Sequence, residues 1–476
     1  MSRPAPFNFR LRGDRVLISN DFGHFLWLDE EAFSAFAKGT LPESDPRFGE
    51  LCAKGFMAER MDLTALTERW RARNTHLWDA SCLHILVVTR NCNMRCVYCH
   101  AQAQSGSQWD MSEATAAKIV DRVFETPNKV LTIEFQGGEP LTNFPVVLFV
   151  ADRARRLAKK TGKELRLSLI TNLSLMDEEK YAALRERNIE ICSSLDGPAA
   201  LHDANRLLFG GSSYRRVIRW WNRLRQDGVV PAALLTVTRK TLDHADAVVE
   251  EYRKRGATSI ALRPLNPLGY AKTVWNKIGY TPEEFLAFYR RALDRVIAAN
   301  RRGRIFPETT AKVFLTKALA AREPNHMDLR SPCGAGIGQI AYDYDGEIYS
   351  CDEGRLLRAM GDDLFHLGHV DAMGPKECAL HPTIRTLAQA SSLDAQSGCS
   401  RCVYKPTCGV CPLLEYVENG DLFTRAPDSR RCRILMGIQD DLFERLRDPR
   451  QRKVLETWVD GEMERRGDPA ALYQRT

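Results

Sequence analysis

The fold is decided by Leu83-His84-Ile85-Leu86-Val87-Val88-Thr89, followed at once by Arg90-Asn91-Cys92-Asn93-Met94-Arg95-Cys96-Val97-Tyr98-Cys99-His100. The first seven residues read as a β-strand, and three cysteines crowd the loop that leaves its end. Downstream, five further β-rich runs recur at 130–135, 165–171, 189–195, 232–238 and 259–265. Helical patterns separate them at 112–126, 144–160, 177–187, 214–226 and 245–255, and a long one follows Thr281. In the first of these Ser112 stands as an N-cap, while Ala116, Ile119, Val120, Val123 and Phe124 share one face at helical spacing. Strands separated by single helices pair in parallel through right-handed crossovers. The chain is therefore expected to be α/β, with six units forming a partial (β/α)6 TIM-like barrel whose chemistry sits at the carboxyl ends of the strands.

Both flanks break this rhythm. Residues 1–75 read as a small α+β unit: 15–19 and 24–28 form a hairpin around Asn20-Asp21-Phe22-Gly23, and helices follow near 30–37 and 47–54. From Cys333 to Cys432 long apolar periodicity is missing, and eight of the 14 cysteines lie there. A region with so little core of its own is expected to need staples. The expected division is 1–75, a barrel at 76–310, a cysteine-rich domain at 311–440 and a helical tail at 441–476.

Composition narrows the function classes. The chain has 476 residues, 44% hydrophobic and 27% charged, which excludes disorder, collagen and coiled coil as the main architecture. Its 68 Lys and Arg against 61 Asp and Glu leave a net charge of +7, a mild excess that implies neither nucleic acid nor membrane as a partner. Arg153, Arg155, Arg156, Arg215, Arg216 and Arg219 fall on outer helices, where solvated faces are expected. The opening MSRPAPFNFRLRGDRV lacks a signal-peptide core, and no apolar run approaches the ~20 residues of a membrane span. A reducing cytoplasm is the expected location, and there clustered cysteines are metal or cluster ligands rather than disulfides.

Cys92, Cys96 and Cys99 form a C-x3-C-x2-C run. Three thiolates on one loop suit three irons of a [4Fe-4S] cube and leave the fourth iron open for a substrate or cofactor. A structural zinc site closes four ligands, and no partner pair lies nearby. In its place after the first strand, this loop resembles that of the radical SAM superfamily. Gly137-Gly138-Glu139-Pro140 after the second strand, Thr171-Asn172 after the third, Ser194-Leu195-Asp196-Gly197 after the fourth with His202, Asp203 and Arg206 behind it, and Arg263-Pro264-Leu265-Asn266-Pro267 after the sixth follow the same order. The resemblance, which covers residues 80–270, implies S-adenosylmethionine as cofactor. Tyr98 and Leu265 would flank its adenine, Gly137, Gly138, Glu139 and Pro140 would receive the methionyl amino group, and Ser194 and Arg206 would contact ribose and carboxylate. Asn172 joins the same binding set.

A second constellation comprises Cys333, Cys351, the run Cys399-x2-Cys402-x5-Cys408-x2-Cys411, and Cys432, with Leu367-Gly368-His369-Val370 between. It resembles the SPASM (twitch-type auxiliary-cluster) extension of peptide and protein maturases, which implies two auxiliary [4Fe-4S] clusters and three in all. By position, one would use Cys333, Cys351 and Cys411, and the other Cys399, Cys402, Cys408 and Cys432. The first is one thiolate short; either Cys378 replaces it or one iron stays open. Two departures stand out: only two residues separate Cys408 from Cys411, and Gln339 occupies the position where some sulfatase maturases carry a further cysteine. Taken alone, the 399–411 cysteines also fit a zinc ribbon. Cys52, Cys82 and Cys192 sit in apolar stretches and read as core.

The resemblance further implies reductive cleavage of S-adenosylmethionine to a 5′-deoxyadenosyl radical, with a low-potential donor such as flavodoxin or ferredoxin. Asp352, next to Cys351, matches the base of anaerobic sulfatase maturases; the alternative is a solvated aspartate. His100 and His202 read as local packing. The implied substrate is a ribosomally made precursor peptide, altered by oxidation or cross-linking of a side chain. Residues 1–75 are compatible with a winged-helix-like peptide-recognition unit that binds a leader by strand addition, or with a lid. Phe7-Asn8-Phe9-Arg10 and 20–28 most resemble the maturase of His-Xaa-Ser repeat peptide systems. The alternatives are an anaerobic sulfatase maturase forming formylglycine and, in another class, a non-catalytic zinc or iron–sulfur protein that binds nucleic acid.

Overall fold

A computed structural model describes residues 3–303, 305–423 and 425–459. Its strands are β1 (Asn8–Arg12), β2 (Arg15–Ser19), β3 (Phe25–Asp29), β4 (Leu83–Thr89), β5 (Met94–Cys96), β6 (Val130–Gly137), β7 (Glu164–Thr171), β8 (Ile189–Ser194), β9 (Arg206–Leu208), β10 (Ala232–Thr236), β11 (Ala261–Arg263), β12 (Gln339–Tyr342), β13 (Glu347–Tyr349) and β14 (His366–His369). The six expected strands are β4, β6, β7, β8, β10 and β11. They are hydrogen-bonded in that order and all in parallel, as alternation with helices requires.

Side-chain alternation on these strands divides two environments. On β6, Leu131, Ile133 and Phe135 are fully buried against the covering helices, where they meet Val147, Val150 and Ala154 of the helix Phe144–Thr161. Burying each such side chain contributes about 1.5–3 kcal/mol. The intervening Glu134 and Gln136 point to the other face and bond each other at 2.7 Å, so the barrel interior is polar. Ser112 caps the helix Glu113–Phe124 by accepting from the Thr115 amide, and the five apolar residues expected on its inner face are all buried.

The sheet does not stop at β4. Strand β12 pairs with it in parallel, from Gln339 opposite Leu83 to Tyr342 opposite Leu86, and β13 and β14 extend the array antiparallel to nine strands. This corrects the expectation of a core-poor region: Ile340, Tyr342, Ile348, Leu356, Leu357, Phe365 and Leu367 join the same core as Leu86 and Val120. Strands of three and four residues are too short to display a period in the sequence.

The N-terminal unit contains the expected hairpin as β2 and β3, plus β1, which the sequence did not announce. One face of this sheet packs Val16, Ile18 and Leu28 on Phe36, Leu51 and Phe56. The other lays Leu17, Phe25 and Trp27 on Val403, Tyr404 and Phe443, beside the loop that bears Cys402. Asp440 pins the contact. It accepts two bonds of 2.8 Å from Arg10 and one of 2.6 Å from the Tyr404 hydroxyl, and pairs with Arg12 at 3.3 Å. Among the described residues no further strand pairs with the outer edges of β1 and β3. The helix Arg430–Arg445 is continuous across residue 440, and 460–476 of the expected tail lie outside the described residues.

Asp440→Ala should leave two guanidinium groups and a buried hydroxyl without their acceptor, at a cost of about 1–3 kcal/mol. Amide exchange should accelerate across 8–29 and stay unchanged across 130–171; equal rates in both proteins at 8–29 would refute the pinning role.

Candidate cofactor and cluster site

The cysteine loop leaves the carboxyl end of β4 and is held from three sides. Its middle forms β5, which pairs with β9 so that Cys96 lies opposite Arg206. Arg206 Nη1 stands 4.0 Å from the Cys96 sulfur. Asp196, fully buried, holds that guanidinium through bonds of 3.1 and 3.4 Å. Asp196 also accepts from the Tyr98 hydroxyl at 2.5 Å and from the Thr236 amide at 3.2 Å. Its own amide donates to His202 Nδ1 at 3.2 Å, which gives His202 the local role expected of it. The Arg206 guanidinium lies 5.4 Å from the Tyr98 ring centroid, so cation, ring and carboxylate lock together.

The second side is the glycine turn. A Cβ on Gly137 would lie 2.3 Å from the Thr89 carbonyl oxygen, and one on Gly138 2.2 Å from that of Asn91. Only hydrogen side chains let the end of β6 cross the root of the cysteine loop, where the Gly138 and Glu139 amides donate to Thr89 and Asn91 at 2.9 and 2.7 Å. Glu139 is 1% exposed, and its carboxylate accepts from the Leu141 amide, the Thr171 hydroxyl and the Asn172 amide at 3.0, 2.7 and 2.7 Å. Burial pushes its pKa up to about 6. Glu139 thus ties β6 to β7 with its own lone pairs, a structural duty beyond the ammonium contact that the motif implies. Pro140 opens the 3-10 turn Pro140–Asn143 that follows. Asn172 donates to Asn93 Oδ1 at 3.1 Å and lies 3.9 Å from the Cys92 sulfur. Ser194, 8% exposed, ends β8.

The third side is the segment after β11. The Tyr270 amide donates to the Cys99 carbonyl at 3.0 Å, and His100 Nε2 lies 3.2 Å from the Asn266 carbonyl oxygen. Gly269 permits the approach, since its Cβ would lie 2.3 Å from the His100 oxygen. Leu265 is buried in the same core as Tyr98. Burial pushes the Cys92 and Cys96 thiols up to about 12 and about 11. Buried thiols ionise only against a strong positive partner, as cluster irons would be.

The remaining cysteines separate into two groups and an outlier. Cys399, Cys402, Cys408 and Cys432 line one cavity of about 50 Å³, walled by Leu393, Val410 and Leu435. Cys333, Cys351 and Cys411 are buried within electrostatic reach of one another. Between the groups lies Arg431, which acts on both Cys408 and Cys411 and donates to Asp328 at 2.8 and 2.9 Å. Among the described residues no three His, Cys, Asp or Glu converge closely enough for a single metal ion. Thiols that surround a space suit a cube, which offers each thiolate its own iron. Cys378, in the helix Pro375–Leu380, is fully buried, and the charge acting on it is that of Glu377 rather than of any other cysteine. The structure therefore does not bring Cys378 to the group of three. Cys192 is not simple core either: it faces Glu134 and Arg263 in the barrel interior.

Asp352 begins the helix Asp352–Ala359, for which Cys351 is the N-cap. It accepts from Arg355 at 3.1 and 2.7 Å, is 26% exposed, and acts electrostatically on His100 and Glu134. It thus faces the barrel interior rather than bulk solvent. Glu134, Arg263 and Asp196 were not singled out as site residues. Strict apolar–polar alternation across 131–136 was the available signal for Glu134.

Residues 86–252 match the Radical SAM superfamily. The AdoMet-dependent heme synthase of Oleidesulfovibrio alaskensis is 24% identical over 355 residues, 71% of this chain and 84% of the relative. The cysteine-type anaerobic sulfatase-maturating enzyme of Clostridium perfringens strain 13 is 25% identical over 348 residues, 68% of this chain and 87% of the relative. In fold, the chain is similar to the crystal structure of Streptococcus suis SuiB bound to precursor peptide SuiA, with a TM-score of 0.53 at 14% identity over 89% of this chain and 98% of that one. The protein carries a radical SAM domain and is an enzyme, which sets aside the non-catalytic binding role.

Gly138→Ala should force the Asn91 carbonyl away, at about 1–3 kcal/mol of overpacking strain. Anaerobically reconstituted variant should hold about four irons fewer per chain than the parent; undiminished iron would show that the loop tolerates a Cβ there.

Proposed function

We propose that the protein modifies a side chain of a ribosomally made precursor peptide, with S-adenosylmethionine bound at the cysteine loop. The observation that carries this reading is the position of Asp352, which adjoins Cys351 and faces the polar barrel interior into which the cysteine loop also opens. Cys92, Cys96 and Cys99 would hold a [4Fe-4S] cluster, which together with S-adenosylmethionine would supply one-electron cleavage chemistry and hydrogen abstraction from an unactivated carbon.

The chain's own residues bind, orient and shield. Tyr98 and Leu265 present buried surface for the adenine, while Gly137, Gly138, Glu139, Pro140, Asn172, Ser194 and Arg206 line the polar side. Asp196 fixes Arg206 and Tyr98 in place before any ligand arrives, which removes an ordering cost from binding. The segment from Asn266 to Tyr270 closes over the loop and keeps water from it. Asp352 takes the proton released from the substrate on its carboxylate, oriented by Arg355. Cys333, Cys351 and Cys411 hold one auxiliary cluster; Cys399, Cys402, Cys408 and Cys432 hold the other. The free edges of β1 and β3 suit addition of a leader strand. A flavodoxin or ferredoxin supplies electrons in a reducing cytoplasm; among the described residues no helix is long and apolar enough to cross a membrane.

The finer reading is a maturase of a His-Xaa-Ser repeat peptide. The match to the Clostridium perfringens enzyme over most of its length favours a second reading, oxidation of a cysteine or serine to formylglycine. Anaerobic incubation with each candidate substrate separates them by product mass. A changed mass in a sulfatase-derived peptide, with the repeat peptide untouched, would defeat the first reading.

Asp352→Ala should still cleave S-adenosylmethionine while product formation falls about 10²–10⁴-fold, the usual worth of a positioned base; normal product would exclude that role. Leader peptide added to the full-length protein should slow amide exchange at β1 or β3; protection confined to the barrel would argue for a lid instead.

A further inference from the structure

The ribbon of β5 and β9 has an inner face that serves the cysteine loop and an outer face that meets solvent. We propose that the outer face, with the arginines that follow it, is the docking surface for a small acidic flavodoxin that feeds the cluster site. The inference rests on the electron-donor reading above and names the surface that the donor uses.

Alternation along β9 separates the two faces. Arg206 is buried and lies opposite Cys96, with Nη1 4.0 Å from its sulfur. Leu207, opposite Arg95, points the other way and is 49% exposed. Phe209, two residues on, is 84% exposed, more than any other large apolar side chain among the described residues. The Arg95 guanidinium holds the Cys92 and Met94 carbonyls at 2.7 and 3.0 Å and Ser105 Oγ at 2.8 Å, and has no carboxylate partner. One strand's thickness therefore separates an exposed apolar surface from a thiol of the cysteine loop.

Charge marks the same surface. Four residues after Phe209 the helix Ser213–Gln226 begins, and its Arg215, Arg216 and Arg219 are all exposed. Among the described residues none of these three guanidinium groups has a hydrogen-bond or ion-pair partner, in contrast to Arg153, which pairs with Asp121 at 2.7 Å. The first turn of the helix holds no acid, and the carboxylate beside it, Asp203, is engaged by Ser212, Ser213 and the Tyr214 amide. Cations at the positive end of a helix dipole gain nothing from the helix. Their attraction is left for a partner, and a basic rim beside an apolar centre steers an acidic one into a transient encounter. The apolar centre selects the flavin carrier: the benzenoid edge of a flavin is flat and apolar, and it matches Phe209 and Leu207. Electron-transfer encounters bury less than about 1,200 Å², so a ribbon face and two helix turns suffice. One electron leaves the reduced flavin and enters the cluster; the flavin is oxidised by one electron, the cluster is reduced by one, and no bond forms or breaks.

The test uses full-length protein, reconstituted anaerobically, and oxidised flavodoxin as the probe, with binding followed by stopped-flow flavin fluorescence. The triple variant Arg215→Glu, Arg216→Glu, Arg219→Glu should associate about 10- to 10³-fold more slowly at low salt and lose the steep salt dependence of the parent. Phe209→Ser should keep the association rate and dissociate about tenfold faster or more. In both variants S-adenosylmethionine cleavage driven by reduced flavodoxin should fall with binding, while cleavage driven by dithionite and the iron content stay parental. Parental flavodoxin binding in both variants would overturn the docking surface, as would an equal loss of dithionite-driven cleavage, which would make these residues supports of the loop. Lost self-association or lost precursor-peptide binding, with flavodoxin unaffected, would assign the face to a second copy or to the substrate instead. If the parent binds ferredoxin and not flavodoxin, the occupant is refuted; if it binds neither, the donor reading itself falls.

Discussion

Strand β4 carries ladder bonds to parallel neighbours on both edges, β6 on one side and β12 on the other, and every part of the site is measured from it. The Cys92–Cys99 loop starts at its carboxyl end. The glycine turn leaves β6 directly beside that end, and Thr89 and Asn91 accept its amides. Cys333 precedes β12, and Cys351 follows β13. A strand hydrogen-bonded on both sides cannot slide by one residue without turning its whole apolar face outward. The spacing between the cysteine loop and the Cys333 group therefore follows from sheet register, although some 240 residues of chain separate the two in sequence.

Buried charge supplies the second level of order. Asp196 collects a guanidinium, a hydroxyl and an amide, and by doing so joins β9, the cysteine loop and β10. Arg431 plays a similar part between the two auxiliary groups through Asp328. Such networks are worth their desolvation only when each member is satisfied. The group with spare capacity is accordingly informative: Arg206 Nη1 is directed toward Cys96. The N-terminal unit is tied to this arrangement by Asp440, so a peptide bound at its sheet would lie against the Cys402 loop.

Legibility differed sharply between the two halves. The barrel strands and their crossover helices were readable because each is long enough to show its period, and the 92–99 spacing is distinctive in itself. Strands β12–β14 were not readable, and the region was taken as core-poor, because its apolar residues are scattered in runs of three or four and find their partners on β4 and its helices. The lumen position of Cys192 was missed for a related reason. Its neighbours in sequence are apolar, while its neighbours in space, Glu134 and Arg263, come from other strands.

The sequence by itself determined the α/β order of elements, the C-x3-C-x2-C loop after the first barrel strand and the glycine turn, since spacing and periodicity are properties of the chain. Only the tertiary structure decided that Cys378 stands apart, that Asp352 faces the barrel interior, and that the N-terminal sheet rests on the Cys402 loop. Those facts depend on which side chains end within a few ångströms of one another after folding. Register, helix caps and the desolvation of charge set those distances, and none of them is a function of local sequence alone.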